Sequence, residues 1–324
     1  MRSLPLPAEQ GTPEMLYQLY RLVIASDNFF TGKTSIGNRG FDVQVQSISP
    51  PEPRSSPSSW FMNWTLPGGE KWLSCAKTDI GYLLRFNELA DFTVDRIGTE
   101  IVCIPKPRIP ENTIQHLFLD QVIPLVINLK GREALHASSV RMPQGIIAFV
   151  GQAGSGKSTL AASFFASGCP LVSDDCLALI EKNRKIFGIP AYPGLRLWKD
   201  SYKGLFGNNG KSRPVAHYTT KQQVDIEASG GMFCKLPKPL IRIYDVVMNG
   251  RSRIKIKPLS PREGFMCLVK AVFRLDITDT KMLKRQFKFL EKVVSSVPVR
   301  RLIYPRNFKI LPDVREAILN DLKT

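Results

Sequence analysis

Residues 151–158, Gly-Gln-Ala-Gly-Ser-Gly-Lys-Ser, constrain the fold more than any other stretch of the chain. Three glycines among six residues interrupt helix and strand alike and permit left-handed backbone. Before them runs the apolar segment Gly145–Val150, which reads as a buried strand; after them Lys157–Ser167 reads as an amphipathic helix. A strand, a tight glycine turn and a helix in that order imply an α/β architecture, with helices covering a sheet. The spacing GxxxxGK[ST] also carries chemistry. The turn aims backbone N–H groups inward, and the helix start adds partial positive charge at the same place. Those features suit the phosphates of a nucleoside triphosphate, ATP with Mg²⁺. Lys157 is expected on the β- and γ-phosphates, and Ser158 on the metal. Gly151, Ala153, Gly154, Ser155, Gly156, Lys157, Ser158 and Thr159 are the candidate nucleotide-binding residues.

Around that motif the chain divides in two. Residues 1–110 read as an N-terminal α+β region, smaller and mostly antiparallel, and 111–324 as the catalytic domain. Apolar spacing predicts a helix over 13–26, and the Pro- and Ser-rich stretch 48–59 reads as a loop. Short strands are expected at 60–64, 82–86, 92–94 and 100–104. A helix capped near Asn112 or Thr113 is expected to run to about Lys130, followed by a strand over 134–140. After the glycine turn come a strand at 169–173 and a hairpin across Asn183, then strands at 240–248, 253–258 and 297–304. Helices are expected at 262–275, 280–294 and 311–322. The stretch Gly204–Ser212 reads as a candidate lid that would bring Lys211 and Arg213 to substrate phosphates.

Two further features bear on chemistry. Asp174 and Asp175 follow the strand after the glycine turn. Adjacent carboxylates beside a phosphate site can divide the work, one meeting a metal and the other taking a proton. Crowding two negative charges raises one pKa, which suits a base. His136 sits one strand before the motif, and Arg196 lies where its charge could balance a transferred phosphoryl group.

The order Leu-His-x-x-x-Val, apolar strand, Gly-x-x-Gly-x-Gly-Lys-Ser, helix and Asp-Asp resembles the catalytic domain of the HPr kinase/phosphorylase family, over about residues 130–180. Residues 181–324 are similar more loosely to shorter HPr-kinase-related proteins, through Tyr192-Pro193-Gly194-Leu195-Arg196-Leu197 and Val297-Pro298-Val299-Arg300-Arg301-Leu302. The resemblance implies a P-loop kinase core shared with phosphoenolpyruvate carboxykinases, and ATP-dependent phosphorylation of a serine hydroxyl in a peptide or protein. It implies Asp174 as catalytic acid/base, Asp175 and Ser158 on the metal side, and His136 beside the Asp pair. The first 130 residues do not resemble the regulatory domain of true HPr kinases, and the downstream loop that docks HPr is not found. The shorter branch is associated with lasso peptides, where the acceptor is the C-terminal serine of a precursor peptide.

Charge and cysteine content bear on the remaining classes. Residues 181–324 hold 30 Lys and Arg against 12 Asp and Glu, whereas residues 1–180 hold 15 against 16. The basic half suits an acidic partner, polyphosphate or an acidic peptide, or simply forms a solvated face. The alternation in Arg251–Lys257 predicts a strand with one basic face. No nucleic-acid module is recognisable, and no partner of that kind is expected. Six Cys without CxxC spacing and three His argue against a zinc site and for reduced cysteines in a cytoplasmic protein. No membrane segment is expected; homo-oligomerisation stays open. A small-molecule kinase and a nucleotide-binding regulatory protein without transfer activity are the alternatives.

Overall fold

In the computed structural model the described residues are 15–26, 40–48, 57–66, 68–207, 212–226, 229–249 and 253–324. The N-terminal part forms eight strands: β1 (Met15–Leu19), β2 (Leu22–Ser26), β3 (Val43–Ser47), β4 (Met62–Thr65), β5 (Lys71–Lys77), β6 (Gly81–Phe86), β7 (Ala90–Asp95) and β8 (Glu100–Pro105). They make one sheet in the order β1-β2-β3-β8-β7-β6-β5-β4. β3 pairs in parallel with both β2 and β8; the other pairings are antiparallel.

The expected helix over 13–26 is a hairpin instead, with residues 13 and 14 outside the described residues. Leu19 pairs with Leu22, so Tyr20 and Arg21 form a two-residue turn with φ of 52° and 59°. That is the mirror-image turn that matches the twist of paired strands. The apolar spacing misled because the tyrosine at the turn is itself buried.

The chain continues through α1 (Glu111–Leu117), a π-helical turn (Phe118–Val122) and α2 (Ile123–Leu129). The single helix expected from 112 to 130 is thus interrupted in its middle. Next come β9 (Glu133–Leu135), β10 (Ser138–Met142), β11 (Gly145–Val150), α3 (Lys157–Ala166), β12 (Leu171–Ser173), β13 (Leu177–Lys182), β14 (Lys185–Ile189), β15 (Gly194–Leu197) and α4 (Lys199–Phe206). They are followed by β16 (Ser212–Pro214), β17 (Gln222–Asp225), β18 (Lys238–Met248), β19 (Lys255–Pro258), α5 (Pro261–Ala271), α6 (Thr280–Ser296), β20 (Val299–Tyr304) and α7 (Leu311–Asp321).

These elements form a mixed α/β body. Its main sheet runs β12-β10-β11-β18-β14-β13-β9, with β20 beside β18 and β19 beside β20; β15, β17 and β16 form a small third sheet. β11, β18 and β20 are mutually parallel neighbours, so their C-terminal ends open on one edge. One core cluster joins the sheet to α3, α7 and the small sheet, and another joins its opposite face to α5 and α6. A third cluster unites the eight-stranded sheet, α1, α2 and residues of the main body such as Ala134, Cys176 and Leu275. Tyr82 and Lys77 reinforce that junction through Asp276, at 3.0 Å and 2.9 Å.

Other expectations are revised. The strand over 134–140 is two strands in different pairings, parted at His136 and Ala137. α3 is buried on nearly every side and not amphipathic, because α4 and α7 cover the face turned from the sheet. The lid reading of 204–212 fails at its start, where Gly204, Leu205 and Phe206 belong to α4; Lys211 lies outside the described residues. In β19, Lys255 and Lys257 are exposed and Ile256 half-buried, a basic outer face; Arg251 and Ser252 lie outside the described residues.

The β13–β14 hairpin turns on Asn183 and Arg184, with φ of 52° and 59°. Left-handed backbone costs an arginine free energy that glycine avoids. Arg184→Gly is therefore expected to stabilise the chain by about 0.5–1 kcal/mol. A urea melt would show a higher midpoint at unchanged slope, and a lower midpoint would refute the left-handed turn.

Candidate functional site

The glycine-rich loop leaves the C-terminal end of β11 and enters α3, as the motif requires. Gly151 has φ of 140°, and a Cβ there would meet the Val246 carbonyl oxygen at 2.7 Å, so no side chain fits. Gly156 caps α3 with φ of 88° and supplies no side-chain cap, which leaves the first-turn N–H groups for another acceptor. Lys157 is buried, and its ammonium donates to the carbonyls of Gly151 and Gln152 at 3.0 Å and 3.1 Å. Burial holds its pKa below the usual lysine range, against the attraction of Asp175 and Asp174. Thr159 donates to Ser201 of α4 at 3.1 Å.

The Asp pair follows β12. Asp174 is fully enclosed: Ser138 donates to its Oδ1 at 2.6 Å, and the Arg196 backbone N–H to its Oδ2 at 2.8 Å. Burial and the neighbouring Asp175 push its pKa up to about 6. The Ser138 hydroxyl also lies 3.4 Å from that of Ser158, linking the Asp pair to the start of α3. Asp175 adopts φ of 62°, a strained value that aspartate tolerates better than most residues. Its Oδ2 is buried without a hydrogen-bond partner and lies 3.5 Å from the Arg196 guanidinium.

His136 binds this turn from the side. Its Nδ1 is 3.0 Å from the Asp175 carbonyl. A carbonyl only accepts, so Nδ1 carries the proton and Nε2 is the free acceptor. Burial, then the charge of Lys157, lowers its pKa and keeps the ring neutral.

Arg196, on β15, is 2% exposed. Its guanidinium pairs with Asp120, faces Asp175, donates to the Tyr192 hydroxyl and lies 5.5 Å from the Tyr192 ring centre. Desolvation lowers its pKa to about 10, so it stays charged at neutral pH.

These groups surround a pocket of about 250 Å³. Ala153, Gly154, Gly156, Lys157, Ser158, Thr159, His136, Asp175 and Arg196 line it; Asp174 stands directly behind the wall. Gly151 and Ser155 support the loop from below, with the Ser155 hydroxyl 2.8 Å from where a Cβ of residue 151 would lie. Sequence reasoning missed several wall residues: Lys221, Met248, Tyr304, Arg306 and Phe308. Met248 and Tyr304 end β18 and β20, the strands parallel to β11, so only the sheet order brings them to the loop. Asp120 and Ser138 were missed as well. A lone carboxylate inside the apolar stretch 117–129 was the one available signal for Asp120.

No protein-family model matches the chain. No curated protein matches it either. Among solved structures, the HPr(Ser) kinase/phosphatase from Coxiella burnetii matches with a TM-score of 0.29 and 17% identity, over 58% of this chain and 97% of that one. So loose a superposition decides nothing about this chain's chemistry.

The raised pKa of Asp174 predicts a pH-dependent stability. An unfolded aspartate titrates near 3.8 and the folded one near 6. The native chain therefore holds the proton more tightly, and stability falls as pH rises from about 4 to 6. Relative to Asp174→Asn, the wild type is expected to lose on the order of 2 kcal/mol across that interval. Denaturant titrations of both proteins at several pH values would measure it; a constant difference would refute the shift.

Proposed function

We propose that this chain is an ATP-dependent kinase that transfers the γ-phosphoryl group to a serine hydroxyl of a peptide or protein. The observation that carries the reading is the meeting, at one pocket, of a glycine-rich helix start, a buried lysine and Asp175, with Asp174 directly behind it. Lys157, Arg196, Lys221 and Arg306 on the wall answer a polyphosphate. The loop N–H groups hold the phosphates, and Lys157 exchanges its two carbonyl partners for phosphate oxygens. The fit to Mg²⁺ rests on oxygen donors: the Asp175 carboxylate, whose Oδ2 accepts no hydrogen bond and faces Arg196 at 3.5 Å, and the Ser158 hydroxyl. Such a set, completed by phosphate and water, suits a hard dication. When bound, the ion supplies positive charge to the transferred phosphates.

The Asp pair titrates as a unit. In this reading Asp174 is the base for the acceptor hydroxyl, a role its raised pKa suits. It stands behind the pocket wall, so taking the proton requires it to give up the Ser138 or Arg196 hydrogen bond. Asp175, on the pocket wall, would hold the cation. Neutral His136 fixes the Asp175 backbone through Nδ1, and Arg196 fixes its carboxylate while balancing charge on the phosphoryl group. The sequence resemblance makes the C-terminal serine of a lasso-type precursor peptide a specific acceptor to test.

Purified protein with Mg-ATP and serine-ended precursor peptides, followed by mass spectrometry, tests the proposal. Lys157→Ala is expected to weaken ATP binding at least tenfold and abolish transfer. Asp174→Asn is expected to keep ATP affinity within about threefold and lower transfer by 10³ or more, roughly the span of general base catalysis. Loss of transfer in Asp175→Asn alone, with Asp174→Asn active, would exchange the two roles. ATP binding without any phosphorylated product would leave a nucleotide-gated binding protein.

A further inference from the structure

Tyr304 ends β20 and is 2% exposed, yet its hydroxyl oxygen is buried without a hydrogen-bond partner. That is anomalous, because buried tyrosine hydroxyls ordinarily find one. In the same chain Tyr20 donates to the Cys176 carbonyl at 3.1 Å, Tyr82 to Asp276 at 3.0 Å and Tyr244 to Asp321 at 2.9 Å. Tyr202 of α4 is the other described tyrosine whose buried hydroxyl has no partner, and it does not wall the pocket.

Tyr304 does wall the pocket, and its position there is specific. A Cβ on Gly156 would lie 3.0 Å from the Tyr304 oxygen, with the Met248 sulfur next at 3.2 Å. The hydroxyl therefore stands over the residue that caps α3, beside N–H groups that have no side-chain cap. The N–H groups and the phenol are all donors, so what they can share is an acceptor with several oxygens. Burial pushes the phenol pKa up, which keeps it a neutral donor.

From this convergence we infer that the Tyr304 hydroxyl donates a hydrogen bond to a phosphate oxygen of the nucleotide held on the 151–158 loop. The inference rests on the nucleotide-binding reading above and adds a phosphate contact from outside the glycine-rich motif. It also gives Gly156 a second reason for lacking a side chain. Any Cβ there would crowd the tyrosine oxygen and occupy the space between the two donors.

Tyr304→Phe removes only the hydroxyl and tests the inference. Calorimetric titration would compare wild type and variant with Mg-ATP, inorganic tripolyphosphate and adenosine. A lost hydrogen bond to a charged acceptor is expected to weaken ATP and tripolyphosphate about tenfold. Any affinity for adenosine should stay unchanged. The melting temperature of the nucleotide-free variant should equal or exceed wild type, because an unpaired hydroxyl leaves the interior. Equal ATP affinities, with the wild type binding well, would overturn the inference and leave the nucleotide site standing. So would a clear fall in the nucleotide-free melting temperature, since the hydroxyl would then have a partner within the protein. A wild type that binds neither ATP nor tripolyphosphate would overturn the underlying reading and this contact with it.

Discussion

The buried charge of Arg196 is the constraint around which the site is arranged. A guanidinium 2% exposed has surrendered almost all of its hydration, and only nearby carboxylates can offset that loss. Two carboxylates do so, and they come from distant parts of the chain. Asp120 arrives from the π-helical turn between α1 and α2, and Asp175 from the turn after β12. Tyr192 closes the arrangement from the approach to β15. Arg196 also donates its backbone N–H to Asp174, so it touches both members of the Asp pair by different groups. Interrupted helices of this kind recur at functional sites. Here the interruption delivers an acid to a buried base, and that pairing fixes the helices next to the main sheet.

The consequence for Asp175 is mechanical. A non-glycine residue at φ of 62° persists only where its surroundings over-determine it. Its carbonyl takes a hydrogen bond from His136, and its carboxylate faces Arg196, so both ends are restrained. The left-handed turn sets Asp174 behind the pocket wall and Asp175 on it. Adjacent and chemically identical, the two thereby gain different surroundings: one sealed between two hydrogen bonds, the other on the pocket wall with its Oδ2 facing the Arg196 guanidinium. Different environments are how a pair of carboxylates comes to hold different roles.

What the sequence revealed of this site was its contiguous part. Glycines, lysine and serine at fixed spacing between an apolar strand and a helix are readable because their chemistry is local to eight residues. The Asp pair was readable from its place after the next strand. Ser138, Asp120 and Tyr304 were not, because their proximity is a product of sheet order. Tyr304 lies 146 positions or more beyond the loop in the chain and reaches it only since β20 runs parallel to β18, itself parallel to β11. The N-terminal hairpin failed for another reason. A helix and a tight hairpin both return apolar residues to one side within a few positions, and short apolar runs do not separate them. The backbone at Tyr20 and Arg21, left-handed in both residues, decided the matter.

The basic excess illustrates how little a global charge says about a site. Of the 30 Lys and Arg in residues 181–324, Arg196, Lys221 and Arg306 reach the pocket wall. Others pair with carboxylates elsewhere: Arg242 and Arg300 with Asp321, Arg301 with Asp245, Arg285 with Glu133 and Lys292 with Glu181. Most of those pairs are partly exposed and contribute little individually. On the wall, by contrast, a few cations act in a partly enclosed space where each is worth more. Arg196 shares its charge with Asp120 and Asp175, while Lys157 is desolvated and hydrogen-bonded to neutral carbonyls. An anion entering the pocket can therefore draw Lys157 from its carbonyls, because carbonyls answer an ammonium less well than phosphate oxygens do. The anion preference proposed for the site rests on that unequal pairing and not on the chain's net charge.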